Sequence, residues 1–317
     1  MGKKNVVWND YISKNERFAD FINGVIFQGK QMVLPEDLNA LDSKLRRREY
    51  DRNSYHEYIR DTVKMWEYQG EKYIFDLEPE ESPHRALPVK YMNYESLEYD
   101  RQYKEILREH RKKQDLSSGE YLSGFAESDT LVTVITIGIY LGEKKWSGFT
   151  CIDEMIKGLK TSREVSKCLR PFCNRFHANV VDIHCLETND IFQTDLREVF
   201  GFLKRQGDKK KLKQYVEQNP MFYHMREDAF DVLCTYSESR ELAVRKEEYR
   251  TEGGMNMCTA LRELKEEGRE EGREEGKAAL GQLIYQLLNE GRMEDLSRAS
   301  IDANYRNELL VEYGING

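Results

Sequence analysis

Prolines are scarce in this chain, six in 317 residues, and tryptophans scarcer, with three. None of its six cysteines forms a CxxC pair, none of its six histidines an HxxxH pair, and no apolar run approaches the ~20 residues of a membrane-spanning helix. Each absence closes off a class. No zinc site is indicated without a Cys/His set, and Cys151, Cys168, Cys173, Cys185, Cys234 and Cys258 read as reduced thiols in a chain long enough to fold without disulfides. With no spanning segment, and with an opening "MGKKNVVWNDYISKN" that has no apolar h-region, the expected location is cytoplasmic and no membrane partner is expected. A positive surplus is missing too. The 49 Lys and Arg face 57 Asp and Glu, a net charge of −8, which argues against a uniformly basic nucleic-acid coat but leaves room for local basic patches.

What is present is enough apolar material for a core, 39% of residues, arranged in an α/β order. "SKNERFADFINGVIF" (13–27) spaces Phe18, Phe21, Ile22 and Val25 as one helix face and opens with a Ser13–Glu16 capping box. "YHEYIRDTVKMWEYQGEKYIFDLEPE" (55–80) reads as two strands joined through Gln69-Gly70, with Asp61 on the first arm and Glu78 near the end of the second. Residues 86–113 form a long helix with Pro88 in its first turn. "TLVTVITIGIYLG" (130–142) is apolar and β-branched throughout, as in a strand covered on both faces. "CIDEMIKGL" (151–159) is expected as helix, "ANVVDIHCLE" (178–187) as strand, "DLREVFGFLKRQ" (195–206) as helix, and about 208–260 as helical throughout.

The acidic residues suggest the chemistry. "YIFDLEPEES" (73–82) ends a strand in a run of acids, and a carboxylate at a strand end can face a cleft. A helical Glu16, Asp61 on one strand, and Glu78 and Glu80 on the next supply the hard oxygen ligands that Mg²⁺ or Mn²⁺ takes, and such a metal polarises a phosphoryl oxygen and activates a water in phosphodiester hydrolysis. "KLRRRE" (44–49), "REHRKK" (108–113) and "KRQGDKKKLK" (204–213) are candidate phosphate-contacting patches on an otherwise solvated surface.

The segments "NERFADFINGVIFQG" (15–29), "YIRDTVKMW" (58–66), "IFDLEPEESPHRALPVKYMNYESLEY" (74–99) and "LSGFAESDTLVTVITIGIYLGEKKWSG" (122–148), with the "EEGREEG" tail, together resemble the Rpn-type recombination-promoting nuclease and transposase family of the PD-(D/E)XK nuclease superfamily. The resemblance spans most of the chain. It implies a restriction-endonuclease-like mixed sheet flanked by helices over residues 10–205, then a helical region (206–260) and a Glu/Gly-rich helical tail (261–317). It also implies a Mg²⁺-dependent endonuclease acting on DNA in recombination or transposition of mobile elements, with Asp61 and Glu78 as catalytic metal ligands and Glu16, or Asp20 one turn later, as the helical acid. Where the family usually reads E-x-Q, this chain reads Glu78-Pro79-Glu80. Glu80 thus replaces an amide by an anion, and Gln102 on the following helix is a substitute amide. A relative that keeps the fold for DNA binding or assembly without catalysis is the alternative. In the tail, "KEEGREEGREEGK" (265–277) repeats every four residues ahead of the amphipathic "ALGQLIYQLLNEG" (279–291), a pattern that suits a helical spacer for self-association and a frayed linker about equally.

Overall fold

The computed structural model describes residues 2–48, 55–160 and 162–315. It begins with two helices, α1 (Lys3–Ile12) and α2 (Asn15–Val25). Sequence periodicity assigns no helix before residue 13, yet α1 is central to the core. Trp8, Tyr11 and Ile12 are fully buried, and the Trp8 ring lies 5.9 Å from that of Phe200 and 6.2 Å from that of Tyr236. The Ser13–Glu16 capping box is not formed. Ser13 closes α1, its N–H donating to Asn9 O, and Lys14 precedes α2. Two helices follow one another so closely that Ser13 serves the end of the first.

The strands β1 (Leu38–Ala40), β2 (Lys44–Arg48), β3 (Tyr55–Ile59), β4 (Thr62–Tyr68) and β5 (Glu71–Glu80) precede α3 (Leu87–Lys113), β6 (Thr133–Tyr140), α4 (Arg163–Leu169) and β7 (Asn179–Asp182). A mixed five-stranded sheet has the order β1-β4-β5-β6-β7. β4 is antiparallel to β1 and β5, while β5, β6 and β7 are parallel. Gln69 and Gly70 turn the β4–β5 hairpin at φ 53° and 85°, the left-handed pair that matches strand twist in a two-residue turn. The first arm of the expected hairpin is in fact two strands, because β3 pairs with β2 in a separate ribbon and the chain bends at Arg60-Asp61 before β4. The "KLRRRE" patch ends at Glu49, outside the described residues, as do the side chains of Arg46, Arg47 and Arg48.

The sheet has two covered faces. Phe75 and Leu77 join Phe18, Phe21 and Ile22 of α2 in the main apolar cluster. Ile74 packs with Val63, Val134 and Tyr99 of α3. By strand alternation, Asp76, Glu78 and Glu80 therefore turn towards α3.

Beyond β7 come α5 (Leu196–Leu203), α6 (Lys209–Gln218), α7 (Glu227–Tyr236), α8 (Arg240–Val244), β8 (Arg250–Thr251), β9 (Gly254–Met255), α9 (Met257–Asn289), α10 (Met293–Ile301) and α11 (Ala303–Glu312). The β8–β9 hairpin interrupts the stretch expected to be helical throughout. Gly254 stands at φ 133°, and a Cβ there would meet Met225 O at 2.4 Å, so the chain needs glycine where it crosses Met225. Residues 151–159 form only single 3-10 turns, and the strand expected over 178–187 ends at Asp182. The main cluster runs from Trp8 to Ala260. A second joins Leu283 and Leu287 of α9 to Ala299 of α10 and Leu309 of α11. Among the described residues no helix is long and apolar enough to cross a membrane.

Candidate active site

The hairpin register brings two acids together. Thr62 pairs with Leu77, so the next positions outward set Asp61 against Glu78, and the Asp61 N–H donates to Glu78 Oε1 at 2.8 Å. Asn9 of α1 donates to Asp61 Oδ1 at 2.7 Å. Lys90, in the first turn of α3, reaches Glu78 Oε2 at 2.8 Å and Glu80 Oε1 at 3.0 Å. The Tyr91 hydroxyl donates to Glu80 Oε1 at 3.1 Å. Gly138 is the β6 partner of Glu78, and a Cβ there would lie 2.5 Å from the Tyr91 hydroxyl. The glycine inside the "VITIGIYLG" strand leaves the space that this hydroxyl fills.

Deeper in the same face lies Asp76, with no exposed surface and no hydrogen-bond partner for either carboxylate oxygen. Burial and then the neighbouring Glu78 hold its carboxyl well above the usual range. Burial also pushes Glu78 up to about 7, against the pull of Lys90, and raises Asp61. For Lys90 burial acts downward, but Glu78 and Glu80 outweigh it and the ammonium is raised. The buried Arg60, next to Asp61, pairs with Glu98 of α3 at 3.2 Å and donates to Asp42 O at 3.0 Å. That clamp fixes the bend carrying Asp61 to the helix carrying Lys90.

Asp61, Glu78 and Glu80 thus share one end of the sheet, and Glu16, Asp20 and Gln102 do not join them. Glu16 is exposed and acts electrostatically on Lys64, whose β5 partner is Phe75, so it belongs to the opposite face of the sheet. The Asp20 carboxylate accepts the N–H groups of Gln193 (2.8 Å) and Thr194 (2.7 Å) and is committed to holding that loop. Gln102 exchanges hydrogen bonds with the Val132 backbone at 2.8 and 3.3 Å, a brace for the entry to β6. Among the described residues no group of three His, Cys, Asp or Glu side chains closes on a point that would hold a metal.

Sequence reasoning missed Lys90, Asn9 and Asp76. One signal for Lys90 was present, since a cation in the first turn of a helix opposes the macrodipole and needs a compensating partner. Asp76 had a weaker one, a carboxylate placed mid-strand in an otherwise apolar run. Comparison with family models, with curated proteins and with solved structures returns no match for this chain.

Proposed function

We propose that the protein is a metal-dependent DNA endonuclease with a restriction-endonuclease-like core, related to the Rpn-type nucleases and serving recombination or transposition of mobile elements. The observation that carries the reading is the grouping of Asp61, Glu78 and Glu80 with Lys90 at the carboxyl end of a parallel strand. Four carboxyl groups, Asp61, Asp76, Glu78 and Glu80, face the Lys90 ammonium and the Arg60 guanidinium, and Asp76 has both oxygens unpartnered. This concentration of buried carboxyl oxygen fits a hard dication such as Mg²⁺ or Mn²⁺, with Asp61 and Glu78 as its protein ligands and water completing the shell. The ion would supply polarisation of the phosphoryl oxygen and a lowered pKa for the attacking water.

The remaining roles belong to the chain's own groups. Asn9 and the Asp61 N–H orient the two carboxylates. Lys90, held by Glu80, offers an ammonium for the charge that develops on the phosphate. Tyr91 fixes Glu80, so the anion that replaces the family's amide anchors the lysine. A second reading, a noncatalytic relative that binds DNA or assembles, draws on the same lysine, which already neutralises Glu78 and Glu80 internally. Plasmid nicking with Mg²⁺, Mn²⁺ or EDTA decides between them. The nuclease reading expects metal-dependent cleavage that Asp61→Ala, Glu78→Ala and Lys90→Ala each abolish with circular dichroism unchanged, while Glu80→Gln keeps or raises it. Inertness of the wild type and of Glu80→Gln with both metals, alongside retained DNA binding, selects the noncatalytic reading.

A further inference from the structure

The basic run "KRQGDKKKLK" does not behave as one patch. Its later members lie on α6, where Lys209, Lys210, Lys211 and Lys213 are exposed and two of them pair with acids, Lys211 with Asp208 at 3.3 Å and Lys213 with Glu217 at 3.5 Å. Its first members turn inward. Lys204 and Arg205 line a cavity of about 440 Å³ between the loop after β7 and the α5–α6 corner, within the size range of small-molecule sites.

Neither of these two cations forms an ion pair with a carboxylate among the described residues, and Asp182 acts on Lys204 only at longer range. Lys204 Nζ donates to the Leu186 carbonyl at 2.5 Å and Arg205 Nη1 to the Gly201 carbonyl at 2.7 Å. The Arg205 guanidinium lies over the Tyr215 ring, 4.1 Å from its centroid, which fixes the plane of its fork. Arg197, which also lines the cavity, is by contrast paired with Glu198 at 3.0 Å. Half-buried cations held by backbone carbonyls and, for Arg205, by one aromatic ring retain unused donors that an anion can engage. A planar, pre-oriented guanidinium beside a flexible ammonium suits the tetrahedral oxygens of a phosphate. Asp190, which accepts from the Thr188 hydroxyl at 2.9 Å, also lines the cavity, so an acceptor for the hydroxyls of a ligand is present beside the donors for its phosphate.

We propose that this cavity is a phosphate-binding site for a nucleotide, the phosphate held by Lys204 and Arg205, whether that phosphate belongs to a free mononucleotide or to the 5′ end of a DNA strand. The site is separate from Asp61, Glu78 and Lys90 and does not depend on the nuclease reading.

Calorimetric titration of the full chain with dAMP, inorganic phosphate and a 5′-phosphorylated oligonucleotide tests it, in the wild type and in Lys204→Gln, Arg205→Lys and Lys210→Gln. The expected result is dAMP binding weakened about tenfold or more by Lys204→Gln and by Arg205→Lys, the loss of one charge-assisted hydrogen bond or of the planar fork, and unchanged in Lys210→Gln. Thermal melting identifies any variant that has lost its fold, and Arg205→Lys, which keeps charge, guards against that outcome. Tighter binding of the phosphorylated oligonucleotide than of dAMP, with the same dependence on Lys204, makes the strand end the source. The proposal is overturned if dAMP produces no heat in the millimolar range, if inorganic phosphate binds as tightly as dAMP, or if Lys210→Gln weakens binding as much as Lys204→Gln.

Discussion

Glu78 illustrates how far a buried carboxylate departs from what stability alone would select. It is 1% exposed, and burial raises its carboxyl from an ordinary value near 4.5 to about 7. A carboxyl raised in the folded state binds its proton more tightly there than in the unfolded chain. Its favourable contribution is therefore complete below about 4.5 and is lost as pH climbs through about 7. Glu78→Gln removes the titration but keeps an acceptor for the Asp61 N–H and leaves Glu80 to hold Lys90. The variant should melt higher than the wild type at pH 8, by an amount equivalent to at most about 3 kcal/mol, and the advantage should shrink towards pH 5. A variant less stable than the wild type across that whole range would show that the Glu78–Lys90 pair outweighs the cost of burial. A site that keeps a costly carboxylate is expected where chemistry needs it.

Among the elements, α3 does the most to organise the molecule. Its first turn delivers Lys90 and Tyr91 to the acids, its middle clamps Arg60 through Glu98, and its last turn secures the segment that leads to β6. There His110 Nδ1 lies 2.6 Å from Asp115 and Nε2 2.8 Å from Asp129, and Asp129 in turn accepts the Ala126 N–H at 2.7 Å. Hydrogen bonds that His110 donates to Asp115 and then to Asp129 raise its pKa, while the imidazole lowers that of Asp115, so His110 and Asp115 both stay charged on the acidic side of neutrality. The clasp is then fully formed below about 6.5 and loosens as pH rises through the raised value. Amide exchange at Ala126 should be slow near pH 6 and accelerate above the His110 midpoint by more than the intrinsic pH dependence, and His110→Ala should remove that excess.

The same helix shows how much of the architecture was legible. Residues 86–113 read as one helix because a proline in the first turn and a basic last turn agree. The Asp61–Glu78 pairing was legible because a two-residue turn at Gln69-Gly70 fixes the register of everything around it. What lay across space was not. Glu16 belongs to a helix whose apolar face was read correctly, yet which face of the sheet that helix covers depends on long-range packing. α1 escaped notice because its buried residues, Trp8, Tyr11 and Ile12, fall on both sides of the polar Asn9-Asp10, and Asn9 has its partner 52 positions away. The β8–β9 hairpin, at two residues per strand, is too short to show a period of two.

At the scale of the whole molecule, α9 joins the body to a small helical unit of its own. Met257 and Ala260 are buried in the main cluster, and Leu283 and Leu287 in the terminal one. Between them Gly268, Gly272 and Gly276 stay within a continuous helix although each weakens it by ~1 kcal/mol relative to alanine. Pairs such as Lys277–Glu274 at 2.7 Å return only a few tenths of a kcal/mol each. Nothing lies within 4 Å of a Cβ built at any of the three glycines, so the spacer is free of packing and its glycines keep it pliable. The unit it carries leaves Tyr285, Leu288, Ile301 and Val311 exposed, Ile301 at 87% and Val311 at 81%, apolar side chains of the kind that interaction surfaces use. On this basis, truncation before Lys265 should lower the particle mass measured by light scattering, and an unchanged mass would reject self-association through the tail. Replacing the three glycines by alanine separates spacer from contact. Helicity should rise, because each alanine fits in open space and removes backbone freedom from the unfolded chain, while the particle mass should stay that of the wild type, since the exposed apolar side chains of the terminal unit lie beyond residue 277.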